Sequence, residues 1–168
     1  SRVLNIRGRV LPSTLQDVTL IGELVEPASV GTEAGRVSRV EGESRVTAAP
    51  GIIQRVYLQP DDVPAYPEAV KAILDADLIV AGPGSLFTSI IPNLLVRDIA
   101  EAIRVSRALK IYVCNVATQP GETDGYSVLD HAEALERHVA PGLFPNILAN
   151  ANQHGPLPGH LQWVRLDP

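Results

Sequence analysis

The residue types best suited to chemistry fall in three short polar stretches, each following an apolar run. The first is Gly82-Pro83-Gly84-Ser85, with Thr88 and Ser89 close behind. Its two glycines let the backbone approach a ligand closely and reach positive φ. Three hydroxyls then stand near an expected helix start. Strand, small-residue turn and helix N-terminus together form an anion site, because unpaired N–H groups and the helix dipole converge there. The same spacing also fits a tight strand-to-helix turn with no ligand. No lysine of the GK[ST] kind follows, so the loop is not a P-loop in its phosphate chemistry. The second stretch, residues 115–125 (NVATQPGETDG), offers amides and hydroxyls from Asn115, Thr118, Gln119 and Thr123, suited to a sugar or a base edge. Glu122 and Asp124 are its only acids placed for proton transfer or a divalent cation. Solvated loop carboxylates are the plainer alternative. The third stretch carries Asn150 and Asn152.

Other reactive side chains lack partners at useful spacing. His131 and His138 stand seven apart on one expected helix face, with no HExxH or cysteine-rich pattern to support zinc, so a surface or structural role is expected. Ser85 lacks the G-x-S-x-G elbow, which argues against a Ser–His–Asp nucleophile. Cys114 closes an apolar run and reads as an inert core thiol. Asp61-Asp62 reads as a turn, and Trp163 as partial core.

The elements that must position these stretches alternate from residue 60 onward. Pro64 and Pro67 bracket a helix start, where proline costs nothing, and Val70, Ile73 and Leu74 give helical spacing to about Asp75. Residues 77–81 (DLIVA) read as a buried parallel strand. A helix from near Asn93 to Arg107 follows, with Leu95, Ile99, Ala102, Ile103 and Ser106 on one face and Arg97 beside Glu101 toward solvent. Lys110 to Cys114 is the next strand, so 77–114 has the length of a right-handed βαβ crossover. Ser127 then reads as an N-cap with Asp130 three residues on. Val128, Leu135 and Val139 mark that helix's buried side, and Pro141-Gly142 ends it. Asn146 to Asn150 is a third parallel strand, and Leu161 to Leu166 one further strand candidate in the tail. Regular crossovers bring all three polar strand ends to one sheet edge, where open α/β sheets hold ligands.

Residues 1–59 read as β-rich. Arg2 to Gly8 alternates like a strand, as do Val18 to Val25 and Gly51 to Leu58. Valines 30, 37, 40 and 46 suit short edge or hairpin strands in an otherwise polar stretch. The expected class is therefore α/β, a Rossmann-like parallel sheet with flanking helices (60–152), a β-rich N-terminal portion and a tail (153–168).

Composition narrows the function classes. With 45% hydrophobic and 20% charged residues, the 168-residue chain is long enough for a real core. Fourteen basic against nineteen acidic residues give −5, which argues against non-specific nucleic-acid or anionic-membrane partners. No apolar run approaches a membrane span of ~20 residues. A single cysteine cannot form an internal disulfide, so a reducing, cytoplasmic setting is expected. The chain contains no methionine, so an excised segment of a longer protein is expected.

The stretches ADLIVAGPGSLFTSIIPNLLV and YVCNVATQPGETDGYSVLDH, with GRVLPSTLQDVTL and VEGES upstream, resemble the CofD-like family in its gluconeogenesis-factor (YvcK) branch. The resemblance covers roughly residues 4–152. Phe87 and Ala117 replace a tyrosine and a methionine common among relatives. It implies a Rossmann-like fold with its site at the carboxyl edge of the sheet. In one branch, 2-phospho-L-lactate transferase moves a phospholactyl group from a nucleotide donor onto a deazaflavin precursor. The YvcK-like branch binds UDP-sugars such as UDP-N-acetylglucosamine, and is tied to cell-wall precursor control and gluconeogenic growth. By motif, Gly82, Gly84, Ser85 and Thr88 would approach the diphosphate or sugar, and Asn115, Thr118, Gln119, Glu122 and Tyr126 would line the rest.

The resemblance thus implies a small-molecule nucleotide or nucleotide-sugar partner, no firm cofactor, and Mg²⁺ only for a transferase. Whether the chain is catalytic, and whether it forms a homo-oligomer, stay open. The family's opening GGGTG strand-turn-helix and acidic, glycine-rich loop have no counterpart here, so this chain is expected to hold one wall of the site.

Overall fold

The computed structural model describes residues 8–26 and 36–167. The strand-like alternation opening the sequence and Val30 lie outside them. Two three-stranded sheets sandwich a layer of helices. The first sheet contains β1 (Thr19–Val25), β2 (Val37–Glu41) and β3 (Ile52–Gln59), all antiparallel in the order β2-β1-β3. Between β2 and β3 lies α1 (Glu43–Ala48), where the sequence predicts hairpin strands. Gly42 opens it at φ 92°, and Val46 faces inward, fully buried. Val46 is thus a core residue on a helix, not an edge or hairpin strand residue. Val37, by contrast, is exposed on the edge strand as expected.

The second sheet is parallel: β4 (Leu78–Ala81), β5 (Leu109–Val113) and β6 (Asn146–Leu148), in that order. Ahead of it, α2 (Pro67–Leu74) starts on its proline. A π-helical turn (Leu86–Ile90), α3 (Ile91–Leu94) and α4 (Arg97–Val105) form the first crossover. The expected helix near Asn93 is therefore two helices, broken where Val96 is extended. Ile99, Ala102, Ile103 and Ser106 face inward as their spacing predicts. Glu101 pairs with Arg104, at 2.8 Å and 2.5 Å, rather than with Arg97. The pair is exposed and adds little stability.

Helix α5 (Val128–His138) forms the second crossover and has the predicted start. The Ser127 hydroxyl accepts from the Asp130 N–H, and Asp130 accepts from the Ser127 N–H at 2.7 Å. That backbone bond holds the Asp130 carboxyl below its usual range. The tail forms no strand among the described residues. It makes isolated bridges, Ala117 to Trp163 and Ser127 to Arg165.

One core joins the layers. Leu24, Ile53 and Val56 of the antiparallel sheet meet Leu86, Phe87 and Ile91, with Tyr112 and Leu135 beyond them. Each fully buried side chain of this size contributes about 1.5–3 kcal/mol.

The two histidines of α5 are built into this core. His131 is fully buried, and its Nδ1 lies 2.7 Å from the Ser127 carbonyl oxygen. His138 accepts the Val56 N–H at Nε2 (3.1 Å) and donates from Nδ1 to the Ala134 carbonyl. It thereby covers an amide on the outer edge of β3. Burial holds both imidazoles below their usual range. The folded protein keeps them neutral while the unfolded chain takes up protons below about pH 6.5. Their contribution is therefore complete above that pH and is lost as pH falls through it. Thermal melts from pH 7.5 to 5 are expected to show a falling melting temperature, with a shallower slope in His138→Gln. A flat profile over that range would contradict this assignment.

Candidate functional site

The parallel order brings the ends of β4 and β5 side by side, and their loops face each other across an open cleft of about 880 Å³. Its lining includes Gly84, Ser85, Thr88, Asn115, Thr118, Gln119 and Glu122. The glycine turn and the 115–125 loop therefore meet as the topology predicts.

Side-chain amides bind the two loops together. Asn115 clamps Gly84 from both sides, accepting its N–H at 3.3 Å and donating to its carbonyl at 3.0 Å. The same amide donates to Gln119 Oε1 at 3.2 Å, and Gln119 Nε2 donates to the Ser85 hydroxyl at 2.8 Å. Accepting that bond leaves the Ser85 proton available to donate. Thr123 braces the loop from behind by accepting the Gln119 N–H at 2.9 Å. Thr118 is buried where the tail crosses it. Its N–H donates to the Gln162 carbonyl, and its hydroxyl accepts the Gln162 N–H.

Glu122 sits where the sequence predicts an external anion. Its carboxylate is 5% exposed and occupies the start of the π-helical turn. Oε2 accepts the Phe87 N–H at 3.3 Å, and Oε1 accepts the hydroxyls of Thr88 at 2.8 Å and Thr47 at 3.0 Å. Neither the solvated-carboxylate reading nor the free anion site at this helix start holds. The chain supplies its own anion, and Thr88 spends its hydroxyl on it. Asp124, by contrast, is exposed and accepts the Gly121 N–H at 2.7 Å.

Three further expectations need correction. Gly82 does not line the cleft. At φ 87°, it backs onto β5, and a Cβ there would lie 2.6 Å from the Val113 carbonyl oxygen. Tyr126 turns inward, edge-on to Phe87 at 6.2 Å and to His131 at 5.4 Å. Burial raises its phenol above the usual range. The Asn150 amide closes on the backbone of Asn152, donating to its carbonyl and accepting its N–H, and both residues stand one strand removed from the glycine turn, because β6 lies beyond β5.

Helix α1 contributes a third wall, Glu43, Ser44 and Thr47, that the strand assignment of this segment hides. The available signal was Gly42-Glu43-Ser44, a glycine-opened helix start with hydroxyls at Ser44 and Thr47 on one side. Gly121 permits the approach, since a Cβ there would lie 2.6 Å from the Thr47 carbonyl oxygen.

Amides, hydroxyls and backbone dominate the lining, and its two charged side chains, Glu43 and Glu122, are both acidic. Such walls suit neutral polar groups, namely sugar hydroxyls, acetamides and base edges, better than bare phosphate. Among the described residues no three His, Cys, Asp or Glu side chains gather to hold a metal ion. With the Glu122 carboxylate already engaged, this donor set does not fit Mg²⁺. Cys114 is buried, and burial pushes its thiol up to about 11, so it is not a nucleophile at neutral pH.

The sequence profile of the family described as "2-phospho-L-lactate transferase CofD" matches residues 1–158, which include every wall of this cleft except Leu161. The chain belongs to the CofD family. Among its relatives are the gluconeogenesis factors of Halalkalibacterium halodurans, 47% identical over 150 residues, and Bacillus subtilis, 46% identical over 151. Those matches cover 89% and 90% of this chain, and 44% of each relative. A crystal structure of a UPF0052 family protein from Bacillus halodurans superposes with a TM-score of 0.82 at 41% identity. It covers 99% of this chain, which corresponds to 52% of that one. This CofD-family chain thus spans about half the length of these relatives. No helix among its described residues is long and apolar enough to cross a membrane.

Proposed function

We propose that the cleft binds a nucleotide-sugar of the UDP-N-acetylglucosamine type, and that the protein acts as a regulator linked to cell-wall precursor and central carbon metabolism. The observation that carries this reading is the Asn115–Gln119–Ser85 ladder, which fixes amide and hydroxyl groups along an uncharged cleft wall. Such groups read sugar hydroxyls and acetamides by hydrogen bonding. The gluconeogenesis-factor relatives supply the metabolic setting.

A second reading, a phosphotransferase acting on a deazaflavin precursor, is favoured by the description of the matched family. Phosphoryl-group chemistry calls for cations at the developing charge, and the two charged side chains lining this cleft are carboxylates.

Calorimetric titration of UDP-N-acetylglucosamine into this chain, with the Bacillus subtilis relative alongside, tests the proposal. Saturable heat is expected, and Asn115→Ala should weaken binding at least about tenfold, because two loops lose their clamp. Heat from neither protein, together with phospholactyl transfer to a deazaflavin acceptor, would put the second reading first.

A further inference from the structure

Two walls of the cleft differ in the hydrogens they have left to give. On the ladder wall, Asn115 spends both amide hydrogens, one on the Gly84 carbonyl and one on Gln119 Oε1. Gln119 spends one of its own on the Ser85 hydroxyl. Among the described residues two hydrogens remain there, the second on Gln119 Nε2 and the proton of Ser85. This wall can therefore donate to the oxygens of a diphosphate or an acetamide.

The α1 wall has the opposite character. Glu43 and Thr47 stand four apart and share a helix face, and both line the cleft. That face is fixed against the 115–125 loop. The Thr47 hydroxyl donates to Glu122 Oε1 at 3.0 Å, and Gly121 closes on the Thr47 carbonyl. Thr47 has thereby spent its proton, and Glu122 is occupied by three donors. Glu43 is exposed and meets no donor among the described residues. Its carboxylate has two oxygens and no hydrogen, so it can only accept. A ligand group facing it must bring hydrogens, whereas an anionic oxygen there would meet a like charge.

We propose that Glu43 is the specificity-determining residue of this cleft, accepting from both hydroxyls of a vicinal diol on the bound ligand. The proposal rests on the nucleotide-sugar reading for the ligand and adds its orientation. A nucleotide-sugar carries two such diols, one on the ribose and one on the hexose. Either places two O–H donors side by side, matching the two oxygens of one carboxylate. The diphosphate then lies away from Glu43, against the Ser85 hydroxyl and the remaining Gln119 hydrogen. A ligand with phosphate in place of the diol is refused, because two negative groups would face each other.

The test uses uncharged diols, so that it does not depend on the diphosphate. Uridine supplies the ribose diol, N-acetylglucosamine supplies the hexose diol, and 2′-deoxyuridine has no vicinal pair. Each is titrated at millimolar concentration into isotope-labelled chain, and the Ser44 and Gln119 amide resonances are followed. Saturable shifts are expected from uridine or from N-acetylglucosamine, and the compound that binds identifies which diol Glu43 reads. Glu43→Gln should weaken that binding at least about tenfold, because an acceptor-only carboxylate gives way to one oxygen and a donor. Glu43 is exposed and glutamine keeps its length, so the melting temperature should not move. No shift from either diol, equal shifts from uridine and 2′-deoxyuridine, or undiminished binding to Glu43→Gln would overturn the proposal. Calorimetry with UDP-N-acetylglucosamine separates the two readings. Heat that Glu43→Gln leaves unchanged keeps the nucleotide-sugar reading and removes this one, whereas Glu43-dependent diol binding without such heat does the reverse.

Discussion

Glu122→Ala is expected to lower the melting temperature by roughly 6–12 °C, corresponding to about 3 kcal/mol. The side chain is a convergence point. One carboxylate holds the Thr47 hydroxyl of α1, and the Phe87 N–H and Thr88 hydroxyl at the start of the π-helical turn. Alanine removes the acceptor from all three donors; the Phe87 N–H and Thr88 hydroxyl belong to buried residues and bear a desolvation cost, whereas exposed Thr47 keeps the Glu43 carbonyl within reach. Glu122→Gln keeps the shape and one oxygen acceptor but turns an amide donor toward groups that are themselves donors. Its cost should be smaller, about 1–2 kcal/mol. Scanning calorimetry of the two variants checks the ordering. If both melt within a degree or two of the parent, the carboxylate is not the link between the sheets that its geometry indicates.

Gly82→Ala is expected to cost about 3–5 kcal/mol or to prevent folding. Two effects add at this residue. The backbone sits at φ 87°, which side-chain-bearing residues rarely adopt, and the new Cβ would lie 2.6 Å from the carbonyl oxygen of Val113. That oxygen belongs to a strand fixed by its neighbours on both sides, so it cannot retreat without parting β4 from β5. Gly84→Ala is the informative control. Its nearest atoms, on Ile90 and Ser89, would lie at 3.7 and 3.8 Å, an ordinary contact. It should fold with a loss of no more than about 0.5 kcal/mol. Urea denaturation of the pair separates the roles of two glycines that look equivalent in GPGS. Equal losses would show that the turn, rather than the approach to β5, sets the requirement.

Local signals carried most of the fold. The apolar runs of β4 and β5, the proline opening α2 and the Ser127–Asp130 capping box each depend on residues within a few positions of one another, and each stands where its pattern predicts, although β4, expected buried, leaves Leu78 and Val80 half exposed. The two facing loops were legible for the same reason, since crossover rules convert local elements into a shared edge. What stayed hidden depends on distant partners. Thr47 and Glu122 are 75 positions apart, and nothing near Glu122 distinguishes a ligand-facing carboxylate from an internal one. Tyr126 and His138 are concealed similarly, because an aromatic ring in a polar loop becomes core only through Phe87, which packs against both. Val46 shows a different failure. Valines 30, 37, 40 and 46 in a polar stretch suit short edge or hairpin strands, and that reading passes over the glycine that starts a helix at residue 42.

The bond from Phe87 to Glu122 gives the protein an internal reporter. Most backbone amides are held by their own element, so they trade protons for deuterons when that element opens. The Phe87 amide instead answers to a side chain contributed by another loop, which also grips α1. Its exchange rate therefore records how often the 115–125 loop parts from the π-helical turn, whether or not any helix unwinds. A molecule that bridges the cleft walls would slow that single amide, and one that merely coats the rim would leave it unchanged.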